Sequence, residues 1–196
     1  TGTPACEASW DGGAGCPSRA FSDLDPSAWY HEATDYVLRK GVMGGYGGGL
    51  FGPNDPLTRG HLVQALYNLA GRPAVTGGTD FSDVPEGLWC ADAAAWAAKQ
   101  GIASGYAGGR FLPGGSLSRE QLAVMLWRWA GSPAPGSSAL PFSDGDAAGD
   151  YAREALAWAA ERGILSGKGG GILDPKGPAT RAQAARMLKS FAEAVL

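Results

Sequence analysis

The chain has 196 residues, of which 18% are charged, and a formal net charge of -3. This weak negative charge argues against a protein that binds nucleic acid by neutralising phosphates. Hydrophobic residues make up 44% of the sequence, which is enough for a buried core, but the apolar runs are too short for insertion in a membrane.

Residues 1–19 form a Gly-rich segment that contains Cys6 and Cys16. The segment has no basic end followed by an apolar run, so a signal peptide either was never present or has been removed. A Cys6–Cys16 disulfide that closes a short loop outside the cell is one interpretation. The other is three unpaired thiols, with Cys90 buried as a small hydrophobic residue.

Three copies of one sequence pattern fill the rest of the chain. A Phe-Ser-Asp triplet begins at Phe21, Phe81 and Phe142, at a nearly constant interval. Each copy continues with an aromatic residue, two glycines, a Pro and a Thr-Arg or Ser-Arg pair, always in the same order. Such a fixed period is typical of repeat proteins. We therefore predict three repeats that together form one cooperative unit, at 20–73, 80–133 and 141–196.

Each repeat is predicted to contain two helices joined by a Gly-rich loop. Apolar positions in each helix recur at the spacing of one helical face. The first helices should end at Gly41, Gly101 and Gly163, since Gly adopts the left-handed conformation of a C-terminal cap. The second helices should begin after the N-cap residues Thr58, Ser118 and Thr180, and the last two also have the Gln of a capping box. These patterns predict an all-α fold with pseudo-threefold symmetry.

The Phe-x-Asp opening, the Trp, the Gly-Val/Ile step, the Phe-x-Pro and the Thr-Arg helix start together resemble the surface-layer homology (SLH) domain. The resemblance implies a three-pronged spindle around a central helix bundle, a pseudo-trimer within one monomeric chain. SLH proteins tether bacterial surface proteins noncovalently to a secondary cell-wall polysaccharide, which often bears pyruvate ketals. The resemblance thus implies an extracellular location at the cell wall or S-layer, this polysaccharide as partner, and no cofactor.

The resemblance also implies binding grooves between adjacent repeats. The Arg of the Thr-Arg motif and the Asp of the Phe-x-Asp motif would line these grooves, with the Trp and Gly positions as walls and backbone donors. Carried over to this sequence, the site residues are Arg59, Arg119, Arg181, Asp23, Asp83, Asp144, Trp29, Trp89, Gly45, Gly105 and Gly167.

The sequence departs from the SLH pattern at several positions. In the loop, Gly47-Gly48-Gly49 and Ala107-Gly108-Gly109 replace the usual Pro-Asp-Gly. His61, Gln121 and Gln183 replace the Glu of the motif, which puts any role of a carboxylate there in doubt. In the third repeat, Lys168 and Leu173 replace the Tyr and Phe of the loop. We expect the groove of this repeat to differ most from the others.

The residues themselves also point to an anion site. An Arg in the first turn of a helix lies beside unpaired N–H groups and the positive end of the helix dipole. Its planar guanidinium suits a carboxylate or a phosphate, and a nearby Trp offers a flat face to a sugar ring. The alternative is that each Arg pairs with a repeat Asp and fastens neighbouring repeats. Some tryptophans have helical spacing and are expected in the core: Trp96, Trp127, Trp129 and Trp158.

Catalysis is disfavoured by the sequence. The chain has two histidines, His31 and His61, and none of the hydrolase or zinc-protease motifs. The G-x-G-x-x-G match at residues 47–52 has no predicted strand before it, so it does not indicate a dinucleotide site. No metal cluster stands out. The alternative function is a helical-repeat scaffold that binds a protein or peptide partner.

Overall fold

The computed structural model describes residues 15–196. Short 3-10 helices lie at Pro17–Ala20, Gly145–Ala147 and Asp150–Ala152. Over this range the backbone forms isolated β-bridges but no strand, which confirms the all-α class. The six α-helices are α1 (His31–Arg39), α2 (Arg59–Leu69), α3 (Ala91–Lys99), α4 (Arg119–Trp129), α5 (Arg153–Glu161) and α6 (Arg181–Val195).

The helix ends are fixed by the residues that the sequence pattern indicates. Ser118 and Thr180 form complete capping boxes with Gln121 and Gln183, as predicted. Thr58 also caps its helix, and its hydroxyl lies 2.8 Å from Nδ1 of His61. The first helix of each repeat stops at a glycine with a left-handed φ of 64° to 69°; these glycines are Gly41, Gly101 and Gly163.

The helices pair between repeats. The second helix of each repeat packs against the first helix of the next, so α2 contacts α3 and α4 contacts α5. The cycle closes when α6 of the third repeat packs against α1 of the first. Each repeat therefore buries its helices against both of the others.

Three backbone hydrogen bonds close a second cycle. Leu57 N–H donates to Ala179 O (2.8 Å), Ala179 N–H to Leu117 O (2.9 Å), and Leu117 N–H to Leu57 O (2.9 Å). These three residues occupy equivalent repeat positions, directly before the N-caps of the second helices, and all are buried. Each repeat thus satisfies a backbone group of another. The spindle shape and its central bundle remain predictions.

An aromatic cluster joins the three repeats at the other ends of their helices. Trp96 packs edge-on against Trp129, and Trp129 stacks on Phe191 of the third repeat with ring centroids 5.1 Å apart. Tyr67 of the first repeat packs on Trp96, and Trp158 packs on Phe191. Trp96 and Trp158 are buried, and Trp127 and Trp129 are partly buried against the core, as expected.

The cysteines differ in state. Cys16 is disulfide-bonded, but Cys6 lies outside the described residues, so the pairing of these two residues stays a prediction. Cys90 is a free, buried thiol, and burial raises its pKa. This agrees with a packing role for Cys90.

Candidate functional site

Each Arg at the start of a second helix reaches into the loop of another repeat. The Arg119 Nε–H donates to Leu173 O (2.8 Å), and its Nη2 donates to Ser166 O (2.7 Å). Arg59 binds two carbonyls of the second repeat in the same way, and Arg181 binds two of the first. The arginines therefore fasten neighbouring repeats, through backbone carbonyls rather than through the repeat Asp.

These arginine side chains are deeply placed. Arg59, Arg119 and Arg181 are 7%, 3% and 2% exposed, and burial lowers the pKa of all three. In Arg119 the two carbonyls engage one N–H of Nε and one of Nη2, so three of the five guanidinium N–H groups lie outside these bonds.

The repeat aspartates bind the backbone of the same loops. Asp144 accepts hydrogen bonds from the backbone N–H groups of Leu173 and Asp174, both at 2.7 Å. Asp23 and Asp83 bind the equivalent pairs of N–H groups in their own repeats. These backbone hydrogen bonds lower the pKa of Asp83 and Asp144.

One loop residue in each repeat therefore makes backbone hydrogen bonds to both the Asp and the Arg. Leu173 gives its N–H to Asp144 of its own repeat and its C=O to Arg119 of the preceding repeat. The Asp and the Arg are thus coupled through one amino acid rather than by a direct contact. This arrangement positions the Arg of one repeat against the loop of the next.

Aromatic rings cover two of the three guanidinium groups. Arg181 lies 4.4 Å from the Tyr46 ring centroid and 4.8 Å from that of Phe51. Arg59 lies 4.7 Å from the ring centroids of both Tyr106 and Phe111. The equivalent positions around Arg119 are Lys168 and Leu173, so this guanidinium lacks the two cation–π contacts.

Arg119 lines a pocket of about 340 Å³. Lys168 and Arg186 add two further cations to the lining, and Trp29 and Gln183 also face it. Lys168 pairs with Asp174 at 2.8 Å, and the Arg186 guanidinium lies 6.0 Å from the Trp29 ring centroid. All three repeats contribute to this wall, which combines concentrated positive charge with a Trp that is 58% exposed.

The equivalent pocket at Arg181 is smaller and less basic. Its volume is about 140 Å³, and Tyr46, His61 and Gln64 occupy the positions of Lys168, Gln183 and Arg186. Gly45 and Gly167 line the Arg181 and Arg119 pockets respectively. The Arg119 pocket, which the loop of the third repeat lines, is thus larger and more basic than the Arg181 pocket.

The contact between the second and third repeats also has a buried carboxylate. Glu120 is 2% exposed and accepts hydrogen bonds from Tyr151 Oη (2.9 Å), Lys176 Nζ (2.7 Å) and the Gly149 N–H (2.9 Å). Burial alone would raise the pKa of Glu120, but these bonds lower it. Burial and Glu120 raise the pKa of Tyr151 to about 12. At this contact, Tyr151, Glu120 and Lys176 form a cluster. At the equivalent contact between the first and second repeats, Trp89 packs on Gly60 instead.

Arg186 and Glu120 were not among the residues predicted from the sequence to form the site. Arg186 follows Gln183 by three residues, which places the two side chains on one helical face. That spacing could have identified it. Glu120 replaces the small residues Gly60 and Ala182 of the other repeats. This difference between the repeats could have identified Glu120 from the sequence.

The predicted glycines serve close packing. A Cβ at Gly45 would lie 2.4 Å from the Phe21 ring and 2.5 Å from Leu50 O. Gly105 and Gly167 are confined by equivalent neighbours. These positions bring the loop and the Phe of the Phe-Ser-Asp triplet together, so they shape the groove wall by the absence of a side chain.

We expect Gly45→Ala to destabilise the chain by about 2 kcal/mol or more, because a rigid backbone carbonyl blocks the new methyl group. Gly44→Ala is the matched control, since a Cβ there meets nothing within 4 Å. Urea unfolding followed by Trp fluorescence measures both. Equal stability of the two variants would contradict the packing role.

One cluster within residues 15–196 has the composition of a metal site. Potential ligand atoms of Cys16, His31 and Asp35 lie within 4.8 Å of one another. Cys16 is disulfide-bonded, so it has no thiolate to offer a metal. Nε2 of His31 instead lies 3.1 Å from Oδ2 of Asp35, one turn further along α1.

The model of the S-layer homology domain matches residues 20–63, 80–123 and 141–185. The chain therefore belongs to the S-layer homology domain family. Among the helices of the described chain, none combines the length and apolarity needed to cross a membrane. Family membership and the S-layer relatives place the chain at the bacterial cell surface.

Several curated proteins are similar over most of this chain. An amylopullulanase of Thermoanaerobacterium thermosulfurigenes is 29% identical over 89% of the chain, which covers 10% of that protein. An S-layer protein of Bacillus thuringiensis subsp. finitimus is 24% identical over 87% of the chain, which covers 21% of it. A cellulosome-anchoring protein of Acetivibrio thermocellus is 29% identical over 43% of the chain, which covers 20% of it.

The chain thus spans about a fifth or less of these relatives. Enzymes and S-layer proteins share the same region, which is the S-layer homology region. Cell-wall anchoring of surface proteins is the function that the family and these relatives support.

Proposed function

We propose that this chain anchors a bacterial surface protein by binding an acidic secondary cell-wall polysaccharide in its inter-repeat grooves. The Arg119 pocket is the main site for the acidic group, such as a pyruvate ketal. The observation that carries the proposal is the convergence of Arg119, Lys168 and Arg186 around one pocket with an exposed Trp. This positive charge is local, because the net charge of the whole chain is -3.

Each component has a chemical role in this proposal. The Arg119 N–H groups that Leu173 and Ser166 do not engage bind the carboxylate of the ligand. Arg186 and Lys168 supply further charge, and Trp29 offers its face to the sugar ring. The two carbonyl bonds of Arg119 fix the guanidinium before the ligand arrives, which lowers the entropic cost of binding.

The other two grooves act as weaker sites. Tyr rings cover the guanidinium groups of Arg59 and Arg181, so fewer faces of these groups remain for a ligand. A polymer with repeated acidic groups could still engage several grooves, and linked sites of this kind gain avidity of about 10²- to 10⁴-fold. Such avidity suits retention on a wall without a covalent bond.

The alternative is a helical-repeat scaffold for a protein partner. Such a partner would contact the concave surface rather than the Arg-bearing grooves. A partner bound there would not contact the three cations of the basic pocket. The pocket therefore favours an acidic glycan as the ligand.

We expect the double variant Lys168→Gln/Arg186→Gln to weaken binding of purified acidic wall polysaccharide by at least about tenfold, because two charge-assisted contacts are lost. Its stability should change little, since Arg119 remains in place. Co-sedimentation measures the binding, and thermal melting checks the fold. Arg110→Gln/Arg162→Gln, which removes two exposed cations elsewhere, is the matched control. Equal binding of the two double variants would refute the assignment of the site.

A further inference from the structure

A second pocket lies beside the Arg181 pocket on α2. It has a volume of about 610 Å³ and shares Gln64 and Asn68 with the Arg181 pocket. Trp89, Asp92 and Arg72 complete its polar and aromatic lining. The second pocket, called the trough below, lies at the junction of the first and second repeats.

The indole of Trp89 is supported on one side and open to solvent. It packs closely on Gly60, where an added Cβ would lie 3.1 Å from the ring. The His61 ring lies 4.9 Å from it between centroids. Trp89 is nonetheless 54% exposed. A flat apolar surface is thus held in place at the edge of a polar pocket.

Polar side chains on α2 form an ordered row beside this indole. Gln64 Nε2 donates to Asn68 Oδ1 (3.0 Å), and Arg72 Nε donates to the same oxygen (2.8 Å). Asn68 Nδ2 donates in turn to Val42 O (3.0 Å). The row fixes the side chains of Gln64 and Arg72, while Gln64 Oε1 and the terminal N–H groups of Arg72 take no part in it.

The row belongs to this junction and is not a feature of the repeat. Position for position, α4 carries Val124 and Arg128 where α2 carries Gln64 and Asn68. Helix α6 carries Arg186 and Ser190 there. Neither pair can form the same bridge of amide groups.

We propose that this trough binds a neutral pyranose ring, stacked on Trp89 with its hydroxyl groups bonded to Gln64, Arg72 and Asp92. Indole offers a flat apolar surface to the C–H face of a pyranose. Amide, guanidinium and carboxylate groups together supply the donors and acceptors that vicinal hydroxyls need. The inference extends the proposed glycan binding to a neutral unit, but it requires no charge on the ligand.

The test is an NMR titration of the ¹⁵N-labelled chain with two neutral trisaccharides, chitotriose and maltotriose. Loss of one indole signal in Trp89→Phe assigns that residue. At least one sugar should produce saturable shifts of the Trp89 indole and of the Gln64 and Asn68 side-chain amides. Absence of saturable shifts at Trp89 with both sugars would overturn the proposal.

Variants distinguish trisaccharide binding at this site from nonspecific binding and from binding at the acidic pocket. Gln64→Ala should weaken trisaccharide binding about fivefold, as expected for one lost hydrogen bond, and Trp89→Ala should abolish it. Arg128→Ala, at the α4 position equivalent to Asn68, should bind like the unaltered chain. Unchanged affinity of Gln64→Ala would also contradict the proposal.

The two proposals fail differently. Binding of acidic polysaccharide that depends on Lys168 and Arg186, without trisaccharide shifts at Trp89, rejects only the neutral site. Trisaccharide binding at Trp89, with no dependence of acidic polymer binding on Lys168 and Arg186, rejects only the acidic pocket.

Discussion

Arg119→Ala is expected to lower the free energy of unfolding of the whole chain by about 3 to 5 kcal/mol. The variant loses the hydrogen bonds to Leu173 O and Ser166 O. It leaves these two carbonyls without their donor and opens a cavity at the contact between the second and third repeats. Urea unfolding followed by circular dichroism measures the loss.

Two further variants test whether the lost hydrogen bonds cause this loss of stability. Arg119→Lys keeps the charge but cannot reproduce the planar fork, so it should recover only part of the stability. Arg162→Ala removes an exposed arginine and should change stability by less than about 0.5 kcal/mol. An Arg119→Ala chain as stable as Arg162→Ala would show that the inter-repeat bonds contribute little.

Because Arg119→Ala is expected to be less stable, this variant is a poor test of polysaccharide binding. Loss of polysaccharide binding in Arg119→Ala could follow from a disturbed fold, since the same side chain joins two repeats. Lys168 and Arg186 line the same pocket without these inter-repeat bonds to carbonyls. Their replacement therefore tests the ligand directly.

Removal of residues 141–196 is expected to abolish cooperative folding of the remaining chain. The deletion takes away α6, the partner of α1, and α5, the partner of α4. It also removes Ala179 O, which accepts from Leu57 N–H, and Arg181, which binds two carbonyls of the first repeat. Two of the three inter-repeat helix pairs disappear, and their apolar faces become exposed.

Scanning calorimetry and hydrogen exchange measure this effect. The full chain should melt in one transition, and the shortened chain should show little protection of its amides. A shortened chain that melts cooperatively near the original temperature would contradict the view that the three repeats form a single cooperative unit.

Local features of the fold were predictable from the sequence. The N-caps at Thr58, Ser118 and Thr180 and the glycine stops at Gly41, Gly101 and Gly163 depend on hydrogen bonds and backbone angles within a few residues. The buried Trp96 and Trp158 follow from helical spacing. Repetition of each signal made these assignments specific.

The long-range partners were not predictable in the same way. Helical periodicity indicates which face of α2 is buried, but not that α3 of the next repeat covers it. The sequence also suggested an Arg–Asp pair, whereas Arg119 and Asp144 meet through the backbone of Leu173. Such a link depends on carbonyl and N–H groups, which every residue has and which leave no trace in residue types.

The differences between the grooves were only partly predictable from the sequence. Lys168 in place of a loop Tyr signalled that one groove would differ. The packing of Lys168, Arg186 and Trp29 around Arg119 requires three repeats to come together. The Gln64–Asn68–Arg72 row has regular helical spacing, but its relation to Trp89 depends on how the first two repeats meet.

Co-sedimentation with wall polysaccharide, before and after chemical removal of its acidic groups, tests whether those groups hold this chain. We expect strong binding to the untreated polymer, weaker binding as salt rises, and at least a tenfold loss after treatment. Undiminished binding to the treated polymer at the same salt concentration would contradict this expectation.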